Sequence, residues 1–405
     1  MRSSPDVVNQ PRCPPPFSSN VRIGVVTTSY PRWPGDSAGA FVGGLTRFFL
    51  AAGHEVEVVA AGPGAAVDGR LRILRVHAGA GLFYDEGAPD RLERSPSSWL
   101  RAPVFALALG GRVARAARTW DAVVSHWILP SGLAVALTAR GLPHLAVAHS
   151  GDVHLAVKLG LASLLVHALM AGGRTRIVFS GEHLRERLLR AAPNSQLASF
   201  SAVCPMGIDA ASLASARSRR EEARAWLGLA PAMPAVVFLG RLVPIKGVNV
   251  LIDALGLVHR EVTLVVAGSG PERVALEARA RGLRAVFTGE LRGAERNWLL
   301  AAADVVVVPS IDLPEGRTEG TPTVVLEALA AGVPLVASRV GGIAAVAEEA
   351  AWLVPPGDAA AIARGIEAAL AEDEDRSARR AAGRRIAEAH DWQHVGPRLL
   401  AMLPL

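Results

Sequence analysis

Lysine is almost missing from this chain of 405 residues. Of its 43 basic residues only Lys158 and Lys246 are lysine, so each stands out from the arginine background. Cysteine is scarce too. Cys13 and Cys204 give neither a disulfide framework nor metal-ligand spacing, which fits a reducing, cytoplasmic compartment. Aromatic residues make up 5%, and no basic tract is interleaved with them, so the net charge of +6 does not mark a nucleic-acid binder. The arginines are scattered and often sit beside glutamate; attraction to an acidic membrane surface is left open. No run reaches the roughly 20 apolar residues that span a bilayer. The nearest, 159–173, is interrupted by His167 and flanked by Lys158, Arg174 and Arg176. It reads as a buried core helix, with a helix lying on the membrane interface as the alternative. Residues 1–20 are rich in Pro and Ser, lack a signal peptide's apolar stretch, and predict a disordered tail.

Half of the residues are hydrophobic, and a single core rarely outgrows about 250–300 residues, so two domains are expected. Apolar, β-branched runs at 22–27, 55–60, 122–125, 144–148 and 176–180 alternate with helical segments such as 41–52. The alternation restarts at 235–239 and continues through 263–267, 285–288, 305–309, 335–338 and 351–354. That pattern predicts an α/β fold of two parallel sheets, each covered on both faces. Two such Rossmann-like halves facing one another make a cleft, and ligands bind at the carboxyl ends of their strands.

The motifs fall at those ends. Glu319-Gly320-Thr321-Pro322-Thr323 leads from the strand at 305–309 into a helix running to Gly332, with Glu327 about two turns inside it. Backbone N–H groups of Gly320, Thr321 and Thr323 would lie at the helix N-terminus, where orphan donors and the dipole suit a phosphate. The two carboxylates suit diols. Leu239-Gly240-Arg241-Leu242-Val243-Pro244-Ile245-Lys246-Gly247 places two cations after another strand. Gly268 and Gly270 form a G-x-G, but Arg273 occupies the third glycine position, which excludes a dinucleotide fingerprint.

Taken together, Glu319-x7-Glu327 and the Gly240-to-Gly247 segment resemble the retaining glycosyltransferases of the GT-B fold, the family 4-like members of glycosyl transferases group 1. The resemblance covers roughly residues 22–402 and is most specific in the second half. It implies an acceptor-side domain at 21–205, a nucleotide-sugar-binding domain at 206–390, and a final helix at 391–405 that crosses back to the first domain. Glu319 would contact the donor sugar, Glu327 the ribose, and Arg241 and Lys246 the diphosphate, in place of an Asp-x-Asp metal clamp; no metal or other cofactor is expected. Gly240, Gly268, Gly270 and Glu290 would lie along the nucleotide. Gly39 would approach the diphosphate, though Gly43 and Gly44 leave the choice of glycine open.

Ala148-His149-Ser150-Gly151-Asp152 resembles the family's H-G-x-D segment, with Ser150 where Gly is usual, and puts His149 at the reaction centre. Asp152 and His126 would face the acceptor; Asp152 could equally cap the following helix, and His126 could equally serve packing. The implied function is transfer of a sugar from a nucleotide-diphosphate donor to a hydroxyl of a glycan or lipid-linked acceptor, with retention, in polysaccharide, glycolipid or cell-envelope synthesis. A sugar-nucleotide epimerase and a non-catalytic binding module are the alternatives. No nucleic-acid partner is expected.

Overall fold

The computed structural model describes residues 20–84, 90–92, 95–193 and 196–404; the tail at 1–19 and part of the polar stretch at 78–98 lie outside them. The first sheet holds β1 (Arg22–Thr27), β2 (Glu55–Ala61), β3 (Ala65–Asp68), β4 (Leu71–Val76), β5 (Ala122–His126), β6 (His144–Ala148), β7 (Thr175–Phe179) and β8 (Ser201–Val203). Their spatial order is β3-β4-β2-β1-β5-β6-β7-β8. Every pairing is parallel except β3 with β4. The second sheet is wholly parallel, in the order β11-β10-β9-β12-β13-β14, from β9 (Ala235–Leu239), β10 (Thr263–Ala267), β11 (Ala285–Gly289), β12 (Val305–Val308), β13 (Leu335–Ser338) and β14 (Ala351–Val354). Strand order reverses between β1 and β5 and again between β9 and β12. Those are the points at which an open parallel sheet leaves a crevice beyond its strand ends.

Continuous burial along the strands explains why they read as unbroken apolar runs rather than alternating ones. Val237, Val265 and Val306 enter one core of the second lobe, and Val236, Val266 and Val305 enter the core on the opposite face. The chain's end is bound into the first lobe: Trp392, Val395 and Leu399 share a core with Val42, Leu45 and Phe49. Trp392 needs glycine beneath it. A Cβ on Gly44 would stand 2.2 Å from its indole nitrogen, and one on Gly207 2.6 Å from its ring. Gly44 therefore serves packing, which takes it out of the contest with Gly39. Asp391 clamps the crossing, accepting hydrogen bonds from the backbone of Ala210 and Gln393.

Three local expectations need correction. The helix expected at 159–173 is shorter, Ala162–Met170, and meets the preceding helix Ser150–Lys158 at a 118° bend. Gly160, at φ +67°, turns the chain between them. The hairpin of β3 and β4 escaped the periodicity because β3 is short and exposed, and arginines interrupt β4. The helix after Glu319 begins only at Thr323, so Glu327 lies just past its first turn.

Candidate active site

Lys246 and Glu319 meet at the switch point of the second sheet. Lys246 ends the short 3-10 turn after β9, and Glu319 lies in the loop after β12. Its ammonium stands 2.6 Å from Glu319 Oε1, with both side chains largely buried. Gly247 makes the approach feasible. At φ +62° it lies so close to Pro309 O that a Cβ would come within 2.0 Å. Ser310 Oγ donates to the same Glu319 oxygen.

The loop carrying Glu319 is fastened on several sides. His183 Nε2 lies 2.9 Å from the Glu319 carbonyl oxygen, and Gly341 presses against that oxygen so tightly that a Cβ would come within 2.0 Å. Ser150 Oγ, from the first lobe, donates to the Thr318 carbonyl. Ser150 thus ties the two lobes together beside His149. Thr321 Oγ1 donates to Ser180 O, and Gly320 O accepts from Gly342 N. Gly320 and Thr321 precede the helix, whereas Thr323 is its first residue.

The other expected residues gather around this pair without touching it. Glu327 holds Arg296 through both oxygens, at 2.9 and 3.2 Å. Arg241 is half-exposed and lies 3.4 Å from Asp90 of the first lobe, whose other oxygen accepts from the buried Arg317. Gly240 and Gly268 form a close backbone crossing: a Cβ on Gly268 would stand 1.8 Å from Gly240 O, and one on Gly270 2.3 Å from Leu242 O. Glu290 is exposed and accepts from Ser37 Oγ across the cleft. Gly39, at φ +67°, packs on Ser29 O. An interlobe cavity of about 370 Å3 lies nearby, lined by Asp90, Val243, Pro244, Glu272, Glu315 and Arg317 among others.

Facing them, His149 stacks on His126 with 5.6 Å between centroids and is walled by Phe41 and Trp127. A ring nitrogen of each histidine meets the other at 3.3 Å. His126 is wholly buried, so it backs His149 rather than facing an acceptor. Asp152 also departs from the acceptor-side expectation. Its buried carboxylate turns inward and accepts from the backbone N–H groups of Ile128, His149 and Val153. It fixes the turn that presents His149. Among the described residues no three His, Cys, Asp or Glu side chains gather as metal ligands. The chain's Asp-x-Asp, Asp373-Glu374-Asp375, lies instead at a helix start, where Asp373 accepts from Arg376 N and Asp375 pairs with Arg379.

Burial sets the protonation of this wall. It pushes His144 and His149 down to about 3 and His126 well below its ordinary value, so all three are neutral near pH 7. The unfolded chain protonates them near pH 6.5, so their contribution to stability is complete above that pH and is lost as pH falls toward 3. Asp152 opposes them. Burial pushes its carboxyl up to about 7, so its contribution is full below pH 3.8 and is lost as pH rises through 7. His144 lies in β6 away from the cleft, bonded to Ser125 Oγ. His144→Asn is expected to flatten the fall of unfolding free energy between pH 6 and 4 by about 1.4 kcal/mol per pH unit. Denaturant titrations across that range check it; an unchanged slope would show that His144 is not held neutral.

Reasoning from sequence missed His183, Arg296, Asp90 and Arg317. His183 had a local signal, four residues beyond the end of β7. Arg296 had none, because it lies 31 positions before Glu327.

Comparison with known proteins agrees with this architecture. A model of the family described as glycosyl transferases group 1 matches residues 233–372. The chain is 30% identical over 403 residues to glycogen synthase of Mycobacterium tuberculosis (strain H37Rv), covering 93% of this chain and 92% of that one. It is 28% identical over 250 residues to the putative teichuronic acid biosynthesis glycosyltransferase TuaC of Bacillus subtilis (strain 168), covering 61% and 60%. Against several further curated relatives it spans less than half of their length. Among solved structures, sucrose-phosphate synthase from Thermosynechococcus elongatus superposes with a TM-score of 0.72 at 23% identity, over 94% of this chain and 97% of that one. Anabaena Alr3699/HepE in complex with UDP-glucose gives 0.69 at 18% identity, over 95% and 99%. Likeness at this identity shows the shared GT-B fold.

Proposed function

The chain belongs to glycosyl transferases group 1, and from that membership we propose that it moves a sugar from a nucleoside-diphosphate donor to a hydroxyl of a glycan or lipid-linked acceptor. The observation that carries this reading is the Lys246–Glu319 contact at a strand-order switch, with Ser150, next to His149, reaching across to the same loop. As the glycosidic bond breaks, the departing diphosphate gains negative charge. Lys246 and Arg241, with the backbone N–H groups of Gly320, Thr321 and Thr323, stabilise that charge without a metal. Glu319 hydrogen-bonds the sugar's hydroxyls, Glu327 takes the ribose diol, and Gly240, Gly268, Gly270 and Glu290 border the nucleotide. Gly39 approaches the diphosphate from the first lobe.

The acceptor oxygen attacks the anomeric carbon on the face the diphosphate leaves. A leaving phosphate oxygen takes the acceptor's proton, and configuration is retained. His149 lies beside the sugar as a neutral imidazole, a donor or acceptor rather than a cation. Because the parts come from both lobes, closure completes the site.

NMR of the anomeric proton, with a panel of nucleotide sugars incubated with and without acceptors, tests the reading. A new glycoside whose anomeric configuration matches the donor's is the expected result. An inverted product would overturn the mechanism. Conversion of a nucleotide sugar without any acceptor would favour the epimerase, and binding without turnover a non-catalytic module.

A further inference from the structure

The helix Pro96–Ala116 is apolar on the wrong side as well as the right one. Phe105, Leu109 and Val113 are fully buried, as a core-facing stripe should be. Leu100, Val104 and Leu107 occupy the opposite face at i, i+4 and i+7, and are 77%, 52% and 79% exposed. Trp99 beside them is exposed too. The neighbouring helix Leu133–Thr138, packed against this one, adds the exposed Leu137. Arg101 and Arg115 flank the stripe and are exposed.

Charge on this part of the chain is one-sided. Between residues 95 and 181 there are eight Lys and Arg residues but only two acidic ones, Asp121 and Asp152. Neither counters the face, since Asp152 is buried among backbone donors and Asp121 accepts from Arg22 N. An exposed apolar stripe with an indole at its start and arginines along its edges has the composition of a helix lying in a bilayer interface. A second copy of the chain fits poorly, because a two-fold contact would set this basic face against itself.

We infer that the exposed face of Pro96–Ala116, with Leu137, docks onto an anionic lipid bilayer. The contact differs from the one weighed for residues 159–173. Trp99 Nε1 donates to Leu92 O, two residues beyond Asp90, which pairs with Arg241 and Arg317 in the cleft. The docked face therefore adjoins the cleft, and a hydroxyl carried on a membrane lipid would reach it from the first lobe's side. Only this last step rests on the transferase reading.

Co-sedimentation of the full chain with vesicles tests the surface. The chain should bind vesicles containing phosphatidylglycerol, bind pure phosphatidylcholine at least about tenfold more weakly, and be released by 0.5 M salt. Leu100→Glu with Leu107→Glu should weaken binding by at least about 30-fold while thermal unfolding and nucleotide binding stay unchanged. Arg101→Gln with Arg115→Gln should erase most of the anionic preference. Failure to bind anionic vesicles, or binding that ignores both double variants, would overturn the inference. So would a concentration-dependent dimer that the leucine variant abolishes. Vesicle binding with no nucleotide-sugar binding would leave this surface standing and refute the transferase reading instead.

Discussion

Lys246→Ala is expected to lower turnover by about 10^2–10^3-fold, the usual effect of removing one preorganised charge partner from a developing anion. The ammonium already lies in a largely dry place, 2.6 Å from Glu319. A donor phosphate arriving there would meet a cation whose desolvation was completed on folding. Removing the amine leaves Glu319 held by Ser310 and its loop, so a smaller stability loss accompanies the kinetic one. The two are separable. If the defect were structural, an excluded osmolyte that restores the melting temperature would restore activity along with it. With Lys246 acting on the departing diphosphate, it restores only the melting temperature. Lys246→Arg should rescue little, because a planar fork does not replace a compact ammonium in a tight space. Turnover within threefold of the natural chain would remove Lys246 from the mechanism.

Gly268→Ala should be the most damaging of the glycine changes. The new methyl would stand 1.8 Å from Gly240 O at φ +146°, so the backbone after β9 must move, and Arg241 with it. A loss of more than about 3 kcal/mol in stability is expected, together with loss of nucleotide binding. Gly282→Ala is the control. Its φ of +93° is also unfavourable to alanine, but nothing lies within 4 Å of the added carbon. It should cost about 1 kcal/mol through backbone conformation alone. If denaturant unfolding gave equal costs, the close crossing of the two loops would be disproved.

These tests bear on parts of the fold that differ in how far they can be read from sequence. The strands of the second lobe are legible because they are short, β-branched and buried on both faces; β9, β10, β13 and β14 have the predicted ends. The meeting of Lys246 with Glu319 follows from two motifs at neighbouring strand ends. What stays hidden is set by contacts between distant segments. Arg296 is one arginine among many until the fold brings it to Glu327. Asp152 reads equally as a cleft carboxylate or a helix cap, and only the backbone donors of Ile128, His149 and Val153 decide between them. The bend at Gly160 is invisible to periodicity because apolar residues continue on both sides of it. Ser150 looks like a departure from the family's pattern, yet its hydroxyl makes a contact between the lobes that glycine could not.

The proposed transfer depends on the ends of β9 and β12 forming an anion-and-diol pocket for a nucleoside diphosphate. Calorimetric titration of the common nucleoside diphosphates into the natural chain and into an Arg241→Gln, Lys246→Ala double variant tests it most directly. One diphosphate should bind with one-to-one stoichiometry and weaken at least about 100-fold in the double variant. Absence of binding by every diphosphate, or equal binding by both proteins, would contradict it.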